Sequence, residues 1–276
     1  MSECIGFLGA GNMASALVGG LLARGQVPTS LFLSDPLEPA LAAHAQRGCR
    51  TTTDNAEMLR TADIVVLAVK PQMLASVLAP QLELLRARRP LLLSIVAGAT
   101  VAGISQLLGG GDWPIVRAMP NTPALVQAAA TGYYCSAAVT APQRQQAQQI
   151  LAAVGLALRV EDEALIDAVT AVSGSGPAYF FLVMQAMQSA GEALGLDART
   201  ARALTLQTAL GAAQMAVTAD VGVEELRQRV TSPGGTTQAA ISVLEQGGLM
   251  ACFEQALAAA HQRAGELGRQ LQESAR

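Results

Sequence analysis

Lysine is almost missing from this chain of 276 residues: Lys70 is the only one, and His44 and His261 are the only histidines. A mechanism built on a lysine or histidine acid/base therefore has almost nothing to draw on. Aromatic residues make up 3% of the chain and the formal net charge is −3, so neither base-stacking platforms nor a basic groove for nucleic acid is expected. The four cysteines, Cys4, Cys49, Cys135 and Cys252, form no CxxC pair, which argues against a disulfide framework or a zinc site. They read as buried small hydrophobes. The start carries no basic signal-peptide segment, and the apolar run from Cys4 is broken by glycines and Asn12 before it could cross a bilayer. The expectation is a soluble, cytoplasmic protein without a membrane or nucleic-acid partner.

What is abundant is apolar: 51% of residues, many of them alanine. In the first half, short apolar runs at 4–8, 31–34, 64–69, 91–95, 115–119 and 132–135 alternate with helix-like segments at 14–24, 40–47, 73–85 and 143–154. That alternation predicts an α/β domain around a doubly wound, mainly parallel sheet. Past the acidic run Glu161-Asp162-Glu163 the pattern becomes Ala/Leu-rich and helical throughout, punctuated at Gly176-Pro177, Gly195-Leu196-Asp197 and Gly247-Gly248. The boundary is set at 161/162, giving a dinucleotide-binding domain over 1–161 and a helical domain over 162–276. Runs such as Phe180-Phe181-Leu182-Val183-Met184 leave these helices apolar on more than one face. A second copy of the chain is the natural cover, so a homodimer through the helical domain is expected.

Two anion sites stand out. Gly9-Ala10-Gly11-Asn12-Met13-Ala14 follows a strand and opens a helix, the arrangement that lets a pyrophosphate approach backbone N–H groups. At the end of the second strand, Asp35 either binds the adenosine ribose, favouring NAD, or merely starts the turn Asp35-Pro36. Ser34 could hydrogen-bond a phosphate, so NADP stays open. Val69-Lys70-Pro71 and Ala97-Gly98 end further strands, where ligands of such sheets sit. Asn55 is either a helix cap or a ribose ligand. The second site is Thr231-Ser232-Pro233-Gly234-Gly235-Thr236-Thr237, two glycines and four hydroxyls before a helical run, suited to a small carboxylate. Together the sites bring a reduced nicotinamide to a small acid.

These segments, with Arg117-Ala118-Met119-Pro120-Asn121-Thr122-Pro123 and Ala171-Val172-Ser173-Gly174-Ser175-Gly176-Pro177, keep order and spacing over nearly the whole chain. In them the chain resembles the pyrroline-5-carboxylate reductases, which close proline biosynthesis. The resemblance implies a Rossmann domain followed by an all-helical dimerisation domain, interlocked dimers, and in some members a pentamer of dimers. It implies hydride transfer from NAD(P)H to the imine carbon of 1-pyrroline-5-carboxylate. It implies that backbone N–H groups around Gly235, Thr236 and Thr237 hold the substrate carboxylate, with Ser232 and Gly234 in the same site, that the Thr237 hydroxyl bonds the ring nitrogen as the catalytic group, and that Asp220 lies near the amine. Gly9, Ala10, Gly11, Asn12, Met13, Ser34, Asp35, Asn55, Val69, Lys70, Pro71, Ala97 and Gly98 would line the coenzyme, NADP or NAD. No metal is implied. The alternatives are a reductase of a related cyclic imine acid, a β-hydroxyacid-dehydrogenase-like enzyme and, last, a non-catalytic cofactor-binding protein. The dehydrogenase alternative is weakened because the second half contains no lysine.

Overall fold

The computed structural model describes residues 3–274 and divides into two compact units, residues 1–175 with 260–276, and residues 176–259. The first unit is built on eight strands: β1 (Ile5–Leu8), β2 (Leu31–Ser34), β3 (Arg50–Thr52), β4 (Ile64–Leu67), β5 (Leu91–Ser94), β6 (Ile115–Met119), β7 (Ala129–Cys135) and β8 (Gly155–Arg159). They form one sheet in the order β3-β2-β1-β4-β5-β6-β7-β8. Every neighbouring pair is parallel except β6 with β7, where Ala118 lies opposite Tyr133.

The inner strands β1, β2, β4, β5 and β6 are buried on both faces, and alternation sorts their side chains into two cores. Phe7, Leu33, Val66 and Leu93 face one side, packed with Leu17 and Leu21 of helix α1 (Asn12–Ala23) and with Leu41 of α2 (Glu38–Gln46). Leu8, Phe32, Leu67 and Leu92 face the other. There they meet Met58 of α3 (Asn55–Leu59), Leu74 and Leu78 of α4 (Leu74–Leu78), Leu85 of α5 (Leu82–Arg88) and Ile104 of α6 (Val101–Leu107). Ile150 and Leu151 of α7 (Ala141–Ala152) complete the first core. Each of these helices buries one to three large apolar side chains, worth about 1.5–3 kcal/mol apiece.

The expected helix over 73–85 is two helices, because Pro80 sits in a 3-10 turn (Ala79–Gln81) between α4 and α5 and brings no backbone N–H to continue the ladder. Strands β3 and β8 were not expected. Both are edge strands, the first only three residues long and polar. Of the cysteines, Cys49 is buried, Cys4 and Cys135 are half-buried, and Cys252 is exposed, against the expectation of four buried thiols. Burial pushes the Cys4, Cys49 and Cys135 thiols above their usual range, which keeps them protonated and inert.

Helix α8 (Leu165–Val169) runs into a π turn (Thr170–Gly174), closed by the Ser175 N–H donating to Thr170 O at 2.8 Å. Ser175 thus closes a wide turn ahead of the next helix. The second unit holds α9 (Gly176–Ala193), α10 (Ala198–Thr218), α11 (Val223–Arg229), α12 (Thr236–Gln246) and the start of α13 (Leu249–Ser274), whose remainder belongs to the first unit. Asp197 caps α10 by accepting the Thr200 N–H at 3.0 Å. Tyr179 meets Phe253 edge to face, ring centres 6.5 Å apart. Phe180, Phe181 and Leu182 are each about two-thirds exposed, a large apolar surface for an unpartnered chain. The segment Leu165–Ala193 is long and apolar enough to cross a membrane by length and composition alone.

Candidate functional site

The turn after β1 is shaped by its glycines. Gly9 has φ +100°, and a Cβ there would stand 2.7 Å from the Ala68 carbonyl oxygen, so only glycine fits. Gly11 differs: its backbone is extended and a Cβ would meet nothing within 4 Å. The space above it is open. Helix α1 starts there with no side-chain cap, which leaves its first N–H groups facing that space. Ala14, one turn on, is 1% exposed and seals the helix against the sheet. An open cradle beneath an uncapped helix start fits the pyrophosphate of a dinucleotide.

At the second strand end the polar side chains are held by hydrogen bonds. Asp35 Oδ2 accepts the Ala10 N–H at 2.9 Å and Oδ1 accepts the Leu37 N–H at 2.9 Å. The carboxylate therefore ties the glycine turn to the turn after β2, as well as starting the latter. Asp54, not Asn55, caps α3, accepting the Ala56 N–H at 2.9 Å. Asn55 Oδ1 instead accepts the hydroxyl of the buried Ser34 at 2.5 Å. Its amide N–H₂ group is the donor left at this corner.

Behind the glycine turn, His44 is buried with Nε2 3.1 Å from the Ser15 hydroxyl, while Nδ1 has no partner among the described residues. Burial, and then the Arg47 charge, hold this imidazole below its usual value, so it stays neutral near pH 7.

Val69, Lys70 and Pro71 follow β4, and Lys70 is exposed. Gly98 follows β5 with φ +77°. A Cβ on it would lie 3.0 Å from Leu271 Cδ1 and 3.4 Å from the Gly268 nitrogen, so the end of α13 leans on this loop. Nearby is a group sequence reasoning missed. Arg117 of β6, its side chain 7% exposed, reaches Glu163 Oε1 at 3.1 Å and Asp167 Oδ1 at 3.3 Å. The available signal was a lone cation inside the apolar strand Ile115–Met119, which demands buried partners. Asn121 proves to be a strut: its Nδ2 donates to Ser173 O at 2.9 Å, and its Oδ1 accepts the Ala130 N–H at 3.0 Å.

In the second unit, α12 also opens without a side-chain cap. Gly234, at φ +73°, donates its N–H to Gln238 Oε1 at 2.6 Å, and Gly235 donates to Ser232 O at 3.0 Å. The first helical bond runs from the Ala239 N–H to Gly235 O at 3.2 Å. The N–H groups with no intrahelical acceptor at this end are those of Thr236, Thr237 and Gln238, while those of Gly234 and Gly235 brace the turn. Ser232, Thr236 and Thr237 are exposed, as is Asp220. Among the described residues no cluster of His, Cys, Asp and Glu could hold a metal ion.

Comparison with known proteins decides between the readings. Residues 163–267 match the family described as pyrroline-5-carboxylate reductase dimerisation, and residues 4–98 match NADP oxidoreductase, coenzyme F420-dependent. Over 271 residues the chain is 53% identical to the pyrroline-5-carboxylate reductase of Pseudomonas aeruginosa, covering 97% of both chains. This protein belongs to the pyrroline-5-carboxylate reductase family. A solved reductase of the family from Coxiella burnetii superposes with a TM-score of 0.93 at 45% identity, covering 97% of this chain and 99% of that one. One from Plasmodium falciparum, solved with NADP bound, gives 0.84 at 30%, covering 97% and 98%. Family membership makes the protein an NAD(P)H-dependent oxidoreductase, and the dimerisation match gives the exposed apolar helices their role in oligomerisation.

Proposed function

We infer that this protein reduces 1-pyrroline-5-carboxylate to L-proline, taking hydride from NADPH or NADH. The observation that carries this reading is the pairing of two uncapped helix starts, at Gly11 and at Gly235, in a chain of this family. The α1 start with Gly9, Ala10, Gly11, Asn12 and Met13 would hold the coenzyme pyrophosphate. Ser34, Asp35 and Asn55 would meet the adenosine ribose, and Val69, Lys70, Pro71, Ala97 and Gly98 the nicotinamide end. The N–H groups of Thr236 and Thr237 would hold the substrate carboxylate, with Ser232, Gly234 and Gly235 shaping the turn beneath it. The Thr237 hydroxyl would orient the ring nitrogen.

The chemistry asks little of acid/base groups. A protonated cyclic imine accepts hydride without creating an alkoxide, so catalysis is mostly proximity, with donor and acceptor carbons held about 3–3.5 Å apart. The lack of lysine and histidine is consistent with that economy. The working form we propose is a homodimer through the helical domain, 162–276, assembled further into a pentamer of dimers and acting in the cytoplasm.

The test is direct. Purified protein mixed with 1-pyrroline-5-carboxylate should oxidise NADPH or NADH, followed at the reduced-nicotinamide absorbance band. Folded protein that binds coenzyme yet oxidises neither would sink the reading.

A further inference from the structure

Gly98 belongs to the loop expected beside the nicotinamide. An apolar cavity of about 170 Å³ lies there, lined by Pro71, Leu74, Gly98, Ile104, Leu107 and Leu271. Val96 and Ala99 on either side of the loop are buried in the core, but the cavity leaves fewer dispersion contacts at Gly98 itself, so contacts from elsewhere in the chain help to position it. Two contacts from distant parts of the chain bear on it. One is the end of α13, whose Gly268 and Leu271 crowd the space a Cβ at 98 would take. The other is polar. Helix α6 begins three residues after Gly98, and the N–H of its first residue, Val101, donates to Glu163 Oε1 at 2.8 Å. That same oxygen accepts Arg117 Nη1 at 3.1 Å. Arg117 is fixed in turn by β6 and by Asp167. Thr100 adds an ordinary cap, accepting the Gly103 N–H at 3.0 Å. Glu163 is thus a remote second cap, 62 residues along the chain, joining the loop's exit to a buried cation.

We propose that Glu163, locked by Arg117, is a positioning residue for hydride transfer: through the Val101 N–H it holds the Ala97-Gly98 wall that sets the nicotinamide ring. This rests on the coenzyme lying where the proposed function puts it. Glu163 touches neither substrate nor coenzyme in this scheme. Its effect falls on how well the ring is held, not on whether the coenzyme binds, since the pyrophosphate and adenosine contacts are elsewhere.

Three variants test it. Glu163→Ala removes the acceptor. Glu163→Gln retains an acceptor oxygen for both donors. Val101→Pro removes the donor and keeps an apolar side chain against the core. Proline is well tolerated at the first position of a helix, and Thr100 before it is already extended (ψ 158°), so this variant leaves the ion cluster intact. The readouts are single-turnover reduction of 1-pyrroline-5-carboxylate and, without that substrate, the fluorescence emission and anisotropy of bound NADPH. Glu163→Ala and Val101→Pro should slow hydride transfer roughly 10- to 100-fold and lower the bound emission and anisotropy. The Kd for NADPH and the KM for the imine acid should each stay within about threefold. Glu163→Gln should recover most of the loss. Wild-type rates and emission in folded Val101→Pro would overturn the proposal, as would a Glu163→Gln variant as slow as Glu163→Ala. If Glu163→Ala does not fold, Val101→Pro decides. If the wild type fails to reduce the imine acid, the proposed function falls, and the NADPH emission alone judges the role of Glu163.

Discussion

The carboxylate of Asp35 accepts the backbone N–H of Ala10 at 2.9 Å, which fastens the end of the second strand to the turn that would cradle the coenzyme. A residue expected to read the ribose is therefore also a strut of the phosphate loop. A hydrogen bond to a charged group contributes about 1.5–3 kcal/mol. Asp35→Ala should thus weaken NADH and NADPH together, by roughly tenfold or more, with a smaller change in their ratio. Titrating both coenzymes against the variant checks this. A loss confined to NADH would mean that ribose reading outweighs the strut.

Gly11 and Gly20 separate ligand space from packing space. At Gly11 a new methyl meets only open volume, whereas at Gly20 it would stand 2.4 Å from the Ala153 carbonyl oxygen. Gly11→Ala should change stability by less than about 1 kcal/mol, because the weaker cap and the stiffer unfolded chain act in opposite directions. It should nonetheless cost at least about tenfold in coenzyme affinity, since the methyl occupies the pyrophosphate's approach. Gly20→Ala should do the reverse, destabilising by about 1–3 kcal/mol through overpacking while leaving affinity near wild type in folded protein. Thermal unfolding beside coenzyme titration distinguishes the two.

Thr237→Val preserves shape and removes the hydroxyl. Losing one orienting hydrogen bond of about 1–3 kcal/mol should lower kcat/KM for the imine acid roughly 10- to 100-fold, with coenzyme Kd unchanged. Steady-state kinetics with the imine acid varied provides the check, and an unchanged kcat/KM would remove Thr237 from the chemistry.

His44 makes stability depend on pH. Its folded value lies below the ordinary 6.5, so the unfolded chain takes up that proton more readily than the folded protein does. This contribution is fully present above pH 6.5 and is lost as the pH falls through and below it. The Tm should drop between about pH 7.5 and 5.5, and His44→Gln should flatten that slope. A slope identical in the variant would assign the drop to other groups.

What could be read beforehand followed local periodicity. Leu31–Ser34 and Ile115–Met119 have the expected bounds because they are apolar runs closed by turns. The long helices of the second half were legible because Gly195, Asp197 and the Gly247-Gly248 pair punctuate an Ala/Leu-rich chain. Gly9 and Gly11 announced their turn through spacing alone. The polar geometry was hidden. Nothing local says that Asp35 turns back to Ala10, or that Arg117 finds Glu163 46 residues on. Such pairings exist only once the sheet has assembled. Gly155–Arg159 escaped because glycine and arginine flank an edge strand with one exposed face.

The loop at Gly98 is covered by Gly268 and Leu271, which are translated long after the sheet beneath it. During synthesis the first 159 residues carry all eight strands and both cores, and such a unit can condense while the chain is still growing. The surface against which the nicotinamide would rest is completed only by residues synthesised well after the last strand. A truncated or stalled chain would therefore hold a finished sheet with an unfinished coenzyme wall, so that competence for hydride transfer comes after, and separately from, the folding of the domain that carries it.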